Sequence, residues 1–337
     1  MRLRTSDPNG PGLRRLRHGR GFRYLDLAGR PLDDPAARER IRALVIPPAW
    51  REVWICPYPN GHIQAVGTDA AGRRQYLYHP AFRAQQEQAK HEHVLEMAAR
   101  LPDIRGQTAK RLDERGLTRD RVLSCGVRLL DLGFFRIGSD AYARDNGTYG
   151  LTTMLREHVS CHRGEVTFDY PAKGGRQRVQ AVVDEPVCRA LTALRRRKKG
   201  GQRLFAYREG REWHEVHSAD LNGYLKDLSQ LDISAKDFRT WHATVLAAVA
   251  LAVSEPARHG PRAVRKRAVA RAVKEVAAYL GNTPAVCRAS YINPRVVELW
   301  EEGRTVAPAL DALGRDGRFG MPATQGAVER AVLDLLS

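Results

Sequence analysis

Four side chains in this sequence have types and settings that would serve chemistry at a phosphodiester: a tyrosine, two arginines and a lysine. Tyr291 lies between two helix starts, Thr283-Pro284 and Asn293-Pro294, each with an N-cap residue followed by proline at N1. The residue before a proline is pushed out of the α region, so one short helix must end before the next begins, and a tyrosine at that break can point into a cleft. Arg136 sits between apolar neighbours in Gly133-Phe-Phe-Arg-Ile-Gly-Ser, and Arg239 in Lys236-Asp-Phe-Arg-Thr-Trp-His precedes an apolar helix. Lys173 lies in Pro171-Ala-Lys-Gly-Gly, where a flexible ammonium can reach a substrate. Together they would supply a nucleophile, cations for non-bridging oxygens and an acid for a leaving oxygen. Each also has a plainer reading: such an arginine most often pairs with a carboxylate, a hairpin lysine is usually solvated, and a helix-end tyrosine is usually packing.

Other chemistries lack their signatures. There is no GxxxxGK[ST] phosphate cradle, His91-Glu92-His93 is not HExxH, and no acidic cluster looks like a two-metal site. The expectation is a reaction without ATP, metal or any cofactor. The five cysteines are far apart with no CxxC pair, which suits a reduced cytoplasm. In 337 residues, 56 Lys and Arg against 38 Asp and Glu give a formal charge of +18. That points to a polyanionic partner, and by itself fits DNA, RNA, a ribosome or an acidic membrane. The first 23 residues carry seven arginines and one aspartate without an apolar stretch, and the longest apolar run, Ala243 to Val253, is too short to span a bilayer. The basic tail is expected to be a nucleic-acid arm, and no membrane association is expected.

The elements that must position these residues fall into two groups, and the fold class expected is α+β. Residues 1–85 read as a small β-rich domain with a basic arm: segments such as Glu52-Val-Trp-Ile-Cys and His62-Ile-Gln-Ala-Val lie between Pro and Asn-Gly turns, with a helix near Pro35 to Leu44. Residues 86–337 read as mostly helical, opened by a connecting helix over Arg83 to Leu101. Helices are expected from Thr118 to Leu132 with Gly133 as the C′ residue, from Thr148 to Val159, and from Ser218 to Leu228. Alternation at Val166, Phe168, Tyr170 and again at Val179, Ala181, Val183 predicts a β-hairpin with Lys173 near its tip.

Several words of the sequence, in this order, resemble the bacterial and poxvirus-type DNA topoisomerases IB over nearly the whole chain. In the N-terminal part they are Arg40-Ile-Arg-Ala-Leu-Val-Ile-Pro-Pro-Ala-Trp, Val53-Trp-Ile, Asn60-Gly-His-Ile-Gln-Ala and Gly72-Arg-Arg-Gln-Tyr-Leu-Tyr. In the C-terminal part they are Phe134-Phe-Arg-Ile-Gly, Thr148-Tyr-Gly-Leu, Lys236-Asp-Phe-Arg-Thr, Gly281-Asn-Thr-Pro and Ser290-Tyr-Ile. The resemblance implies an enzyme that relaxes supercoils of either sign through a transient 3′-phosphotyrosyl bond, without ATP or metal. It implies a monomer closing as a clamp on double-stranded DNA, in the cytoplasm with the nucleoid.

Carried over residue by residue, the resemblance makes Tyr291 the nucleophile. Arg136 and Arg239 become ligands of the non-bridging oxygens, and Lys173 the general acid to the 5′ oxygen. One position departs: where the poxvirus enzymes have a histidine, nine residues before the tyrosine, this chain has Asn282. An asparagine amide donates a hydrogen bond but no charge. Asn282 is expected to fill the role, with His242 ranked below it because its helical position faces the core. Gln75, Tyr76 and Tyr78, flanked by Arg73 and Arg74, are expected to contact DNA; glutamine can read adenine, tyrosines can meet thymine methyls or phosphates, and arginines suit phosphates. The other reading of that strand puts Tyr76 and Tyr78 on its buried face. Two further functions compete: a tyrosine recombinase, although Arg239-Thr-Trp-His lacks a second arginine at the Arg-His-x-x-Arg spacing, and a non-catalytic DNA-binding protein.

Overall fold

In the computed structural model, which describes residues 2–312, 322 and 324–337, the chain is α+β and divides into two compact units, Met1–His91 and Glu92–Ser337. The first unit is a five-stranded antiparallel sheet of β1 (Leu13–His18), β2 (Gly21–Leu25), β3 (Arg51–Ile55), β4 (Ile63–Thr68) and β5 (Arg74–Tyr78), in the order β2-β1-β3-β4-β5. One helix, α1 (Pro35–Ala43), joins β2 to β3; Asp34 caps it by accepting from the Ala36 N–H at 2.9 Å. Its buried Ile41 packs in one cluster with Leu13, Val53, Ile55 and Ala65.

Helix α2 (Pro80–Leu112) contains the division between the units and is longer than the expected Arg83 to Leu101, continuing through Pro102. The helices that follow are α3 (Arg119–Leu132) and α4 (Asp140–Asn146). Thr118 caps α3 as the sequence predicts. Gly133 ends it in extended conformation (φ −133°) rather than the left-handed one, and its requirement for glycine is space: a Cβ there would lie 2.6 Å from the buried Phe135 ring.

A three-stranded sheet comes next: β6 (Val159–His162), β7 (Glu165–Ala172) and β8 (Arg176–Val183), ordered β6-β7-β8. The expected helix from Thr148 to Val159 is not formed. That stretch makes two single 3₁₀ turns, Leu151–Thr153 and Arg156–His158, before β6 starts. Its N–H groups find distant acceptors instead of a helical ladder: Leu151 donates to Arg136 O and Thr152 to Ile137 O, both at 2.8 Å, and Arg156 to Gln202 O at 3.0 Å. Tertiary pairing thereby replaces local propensity.

After the sheet come α5 (Glu185–Arg196), the short hairpin β9 (Ala206–Glu209) and β10 (Glu212–Glu215), α6 (Ser218–Ser229) and α7 (Ala235–Val253). The chain continues through α8 (Glu255–Arg258), α9 (Arg262–Leu280), α10 (Pro284–Ser290), α11 (Pro294–Glu301) and α12 (Ala327–Leu336). Phe135, Phe168, Leu191, Phe238, Trp241 and Trp300 are fully buried in the second unit's core, so the inner faces of the sheet, α5, α7 and α11 share one apolar interior. No helix among the described residues is long and apolar enough to cross a membrane.

Candidate active site

The break at Tyr291 forms as its two prolines dictate. Thr283 caps α10, Asn293 caps α11 by accepting from Arg295 N–H at 3.0 Å, and Tyr291 lies between them with φ −127° and ψ −37°. One hydroxyl fastens this turn to α7: Thr244 Oγ1 accepts from Asn293 N–H at 3.1 Å and shares its own proton between Thr240 O at 2.9 Å and Tyr291 O at 3.3 Å. The phenol is nearly buried, with the Arg239 guanidinium carbon 5.4 Å from its ring centroid. Burial alone would raise its pKa, but Arg239, Arg136 and Lys236 outweigh that and hold the phenol below its ordinary value.

Arg239 stands on the first turns of α7, where Ser234 N–H donates to Asp237 Oδ2 at 2.8 Å and fixes the helix start. Only 4% exposed, it donates to Phe134 O and, at 2.8 Å, to Leu280 O. Burial, and then the nearby Arg136, bring its pKa down to about 10, which still leaves it charged at neutral pH. Arg136 donates to Gly281 O at 3.1 Å and to Asn282 Oδ1. Its segment is held by Phe135, which meets Phe168 edge to face at 4.8 Å, and by close approach of two glycines: a Cβ on Gly150 would lie 2.5 Å from Gly138 Cα. Among the described residues neither arginine has a carboxylate partner; carbonyls and an amide hold them, so their charge stays available to an anion.

Asn282 completes the group. An arginine only donates, so the amide oxygen faces Arg136 and the Asn282 NH₂ points away from it. That Nδ2 is buried without a hydrogen-bond partner among the described residues, and so is Arg239 Nε. Buried donors are normally satisfied, so two left open in one site have unused capacity for an acceptor. His242 is turned elsewhere: its Nε2 is 3.8 Å from Asp131 Oδ1 and its ring packs edge-on against Phe134.

Lys173 is the first residue of the turn between β7 and β8, where Gly174 and Gly175 adopt φ +81° and +70°, available to glycine without strain. It is exposed and lines, with Arg136, a cavity of about 140 Å³. The structure therefore brings together two contacting pairs, Arg239 with Tyr291 and Arg136 with Asn282, whose arginines bond the consecutive carbonyls of Leu280 and Gly281, and places Lys173 across a cavity that Arg136 shares.

In the first unit, β5 alternates with Arg74, Tyr76 and Tyr78 on its exposed face, contrary to the reading that buried the tyrosines. The two rings stack at 6.0 Å, and Arg74 lies over Tyr76. Gln75 donates to Asp69 Oδ2 at 2.9 Å, and Arg73 pairs with the same carboxylate.

Residues 79–302 match the family model of the eukaryotic DNA topoisomerase I catalytic core, and residues 21–69 that of the bacterial DNA topoisomerase IB N-terminal domain. The chain is 31% identical over 270 residues to DNA topoisomerase 1B of Acanthamoeba polyphaga mimivirus, an alignment covering 78% of this chain and 80% of that protein. The chain belongs to the type IB DNA topoisomerases. It is therefore an isomerase of that family. At 23% identity over 239 residues it is also similar to DNA topoisomerase 1B of vaccinia virus (strain Copenhagen) and DNA topoisomerase I of monkeypox virus, covering 69% of this chain and 71% of each.

Two cations of this topoisomerase escape a reading of its sequence. Lys236 is exposed three residues before Arg239, on the same face of α7, and lowers the Tyr291 phenol; that i,i+3 spacing was a signal in plain view. Arg178 was hidden by the apolar alternation of its strand. Val179 is 67% exposed, and the register Phe168↔Gln180 and Tyr170↔Arg178 turns the polar residues of β8 inward with the buried face of β7.

Proposed function

We propose that this enzyme relaxes supercoils of both signs by transient cleavage of one strand, with Tyr291 as nucleophile. The Tyr291 hydroxyl loses its proton to solvent water, a loss favoured by the cations around it, and the phenolate oxygen attacks phosphorus, forming a 3′-phosphotyrosyl ester as the bond to the 5′ oxygen breaks and that oxygen takes a proton from Lys173. Arg136, Arg239 and the Asn282 NH₂ hold the non-bridging oxygens as charge builds on the pentacoordinate phosphorus. One ester replaces another, so the freed 5′ hydroxyl can attack back without ATP once the downstream duplex has swivelled. The observation that carries this reading is the pair of unpaired buried donors, Arg239 Nε and Asn282 Nδ2, beside a tyrosine whose pKa is lowered. A second tyrosine, Tyr170, also feels Arg136, Arg178 and Arg239, yet burial outweighs them and raises its phenol, which favours Tyr291.

We further propose that the enzyme acts as a monomer on double-stranded DNA in the cytoplasm, residues 1–85 forming a DNA-binding domain and residues 86–337 the catalytic one. Arg73, Arg74, Gln75, Tyr76 and Tyr78 supply groove and phosphate contacts, for which Gln75 must exchange Asp69 for a base edge. The test is trapping with denaturant. Wild type and Tyr170→Phe should form a covalent protein–DNA adduct, and Tyr291→Phe should form none while binding duplex almost unchanged. Relaxation should proceed in EDTA without nucleotide; an adduct surviving in Tyr291→Phe, or a strict requirement for Mg²⁺, would refute the mechanism.

A further inference from the structure

The cavity between the β7–β8 hairpin and the α9–α10 junction is walled by Arg136, Tyr149, Tyr170, Lys173, Arg176 and Arg178, and no carboxylate among the described residues lines it. Neither Tyr291, Arg239 nor Asn282 lines it, so it adjoins the group around the nucleophile and is separate from it. Two guanidinium groups converge on one residue there. Arg136 donates to Gly281 O at 3.1 Å, and a Cβ on Gly281 would lie 2.9 Å from Arg178 Nη1. Arg178 is steered by its strand register and by two bonds, Nη2 to Tyr279 O at 2.9 Å and Nε to Gln180 Oε1 at 3.1 Å, leaving Nη1 toward the cavity. Burial, and repulsion from Arg136, lower its pKa. None of these four cations makes an ion pair with a carboxylate among the described residues. Like charges held together without a counter-charge are stabilised by an anion between them, and a volume of about 140 Å³ has room for a phosphate group.

We infer that this cavity binds a second phosphate of the DNA backbone, next to the scissile one, and that Arg178 is its principal ligand. The inference rests on the transesterification reading, which supplies the strand that passes Arg136 and Lys173. Its consequence is positional. A phosphate seated between Arg178 and Arg176 on the hairpin and Arg136 across from them draws the tip inward, bringing Lys173 to the 5′ oxygen only when DNA is in place.

The experiment uses the full chain and duplexes whose cleavage position has been mapped by adduct trapping. Each phosphate flanking that position is replaced singly by an uncharged methylphosphonate. In wild type one replacement should slow single-turnover cleavage. Arg178→Ala should slow cleavage of the unmodified duplex by about 10- to 100-fold, the scale of a lost charge-assisted hydrogen bond, and that same replacement should then have no further effect. Arg178→Lys, which keeps the charge and loses the fork, should fall between. A purely structural role would lower every rate alike and leave the methylphosphonate effects intact. Additivity at every position, or wild-type cleavage by Arg178→Ala, overturns the inference. Competition by inorganic phosphate at constant ionic strength without coupling to any backbone position overturns the DNA assignment. Equilibrium binding of the same duplexes by Tyr291→Phe reads the coupling without cleavage, so absence of an adduct in wild type would count against the role of Tyr291 alone.

Discussion

At the scale of single residues, the role proposed for Asn282 rests on hydrogen-bond direction. Its oxygen serves Arg136, and its buried NH₂ has no partner among the described residues. Asn282→Ala should reduce single-turnover cleavage by about 10²- to 10³-fold, the usual effect of deleting one oxyanion donor. Asn282→Asp should be slower still, because it removes the donor and sets a negative charge beside Arg136. His242→Ala should cost less than either; a larger loss there would reverse the assignment. The phenol gives a second test. Its pKa is below the ordinary value near 10, so the rise of cleavage rate with pH should level off earlier than an unperturbed tyrosine allows. Lys236→Ala removes a lowering influence and should move that inflection to higher pH, whereas a profile identical to wild type would show that Lys236 does not tune the nucleophile.

At the scale of elements, the sequence was most informative where end signals were strong and local. Thr118, Thr283 and Asn293 each begin a helix as their types predict, and both prolines around Tyr291 act where they stand. It was silent where acceptors came from far along the chain, as at Leu151 and Thr152, and misleading where apolar residues faced outward, as at Val179. The site itself depends on such distant joins. Arg105 of α2 makes paired bonds to Asp131 of α3 at 2.9 and 2.8 Å and to Glu329 of α12, while Trp241 of α7 donates to Glu329 at 2.7 Å. This network anchors the helix that carries Arg239, and nothing in the spacing of these residues announced it. Removing one member of a buried charge pair leaves the other unpaired, so Asp131→Ala should lower stability by about 3–5 kcal/mol, read from urea unfolding. Burial alone would raise Asp131, but Arg105 and His242 outweigh it and hold the carboxyl well below the usual range. A depressed folded pKa contributes stability that is fully present above the unfolded value near 4 and is lost as pH falls toward the folded one. Wild type should therefore lose urea resistance below about pH 4, and Asp131→Asn, although less stable at pH 7, should lose less over that interval.

At the scale of the whole molecule, the excess of 56 basic over 38 acidic residues divides by task. Arg136, Arg239 and Lys173 are assigned to one scissile phosphate, and Arg178 with Arg176 to its neighbour. Of the remaining cations some are held inside the protein, as Arg15 is by the carbonyls of Ile46, Pro47 and Trp50 and Arg105 by Asp131 and Glu329, and only the exposed ones are available to phosphates that undergo no chemistry. The two classes should respond differently to salt. A phosphate contact releases condensed counterions when DNA binds, and each one steepens the fall of log affinity with log salt by about 0.9. A cation already seated on the scissile phosphate in a buried site is shielded from bulk ions and changes little with ionic strength. Binding of Tyr291→Phe to duplex, measured from 50 to 200 mM salt, should therefore weaken by about 10³-fold or more if six or more phosphates are contacted. Over the same range the cleavage rate of wild type, measured with enzyme in saturating excess, should change by less than about threefold, an activation difference below the 1.36 kcal/mol of a tenfold change. A cleavage rate that falls in parallel with affinity would mean that the reactive arrangement depends on the same screened contacts as binding, and the division of charge would be wrong.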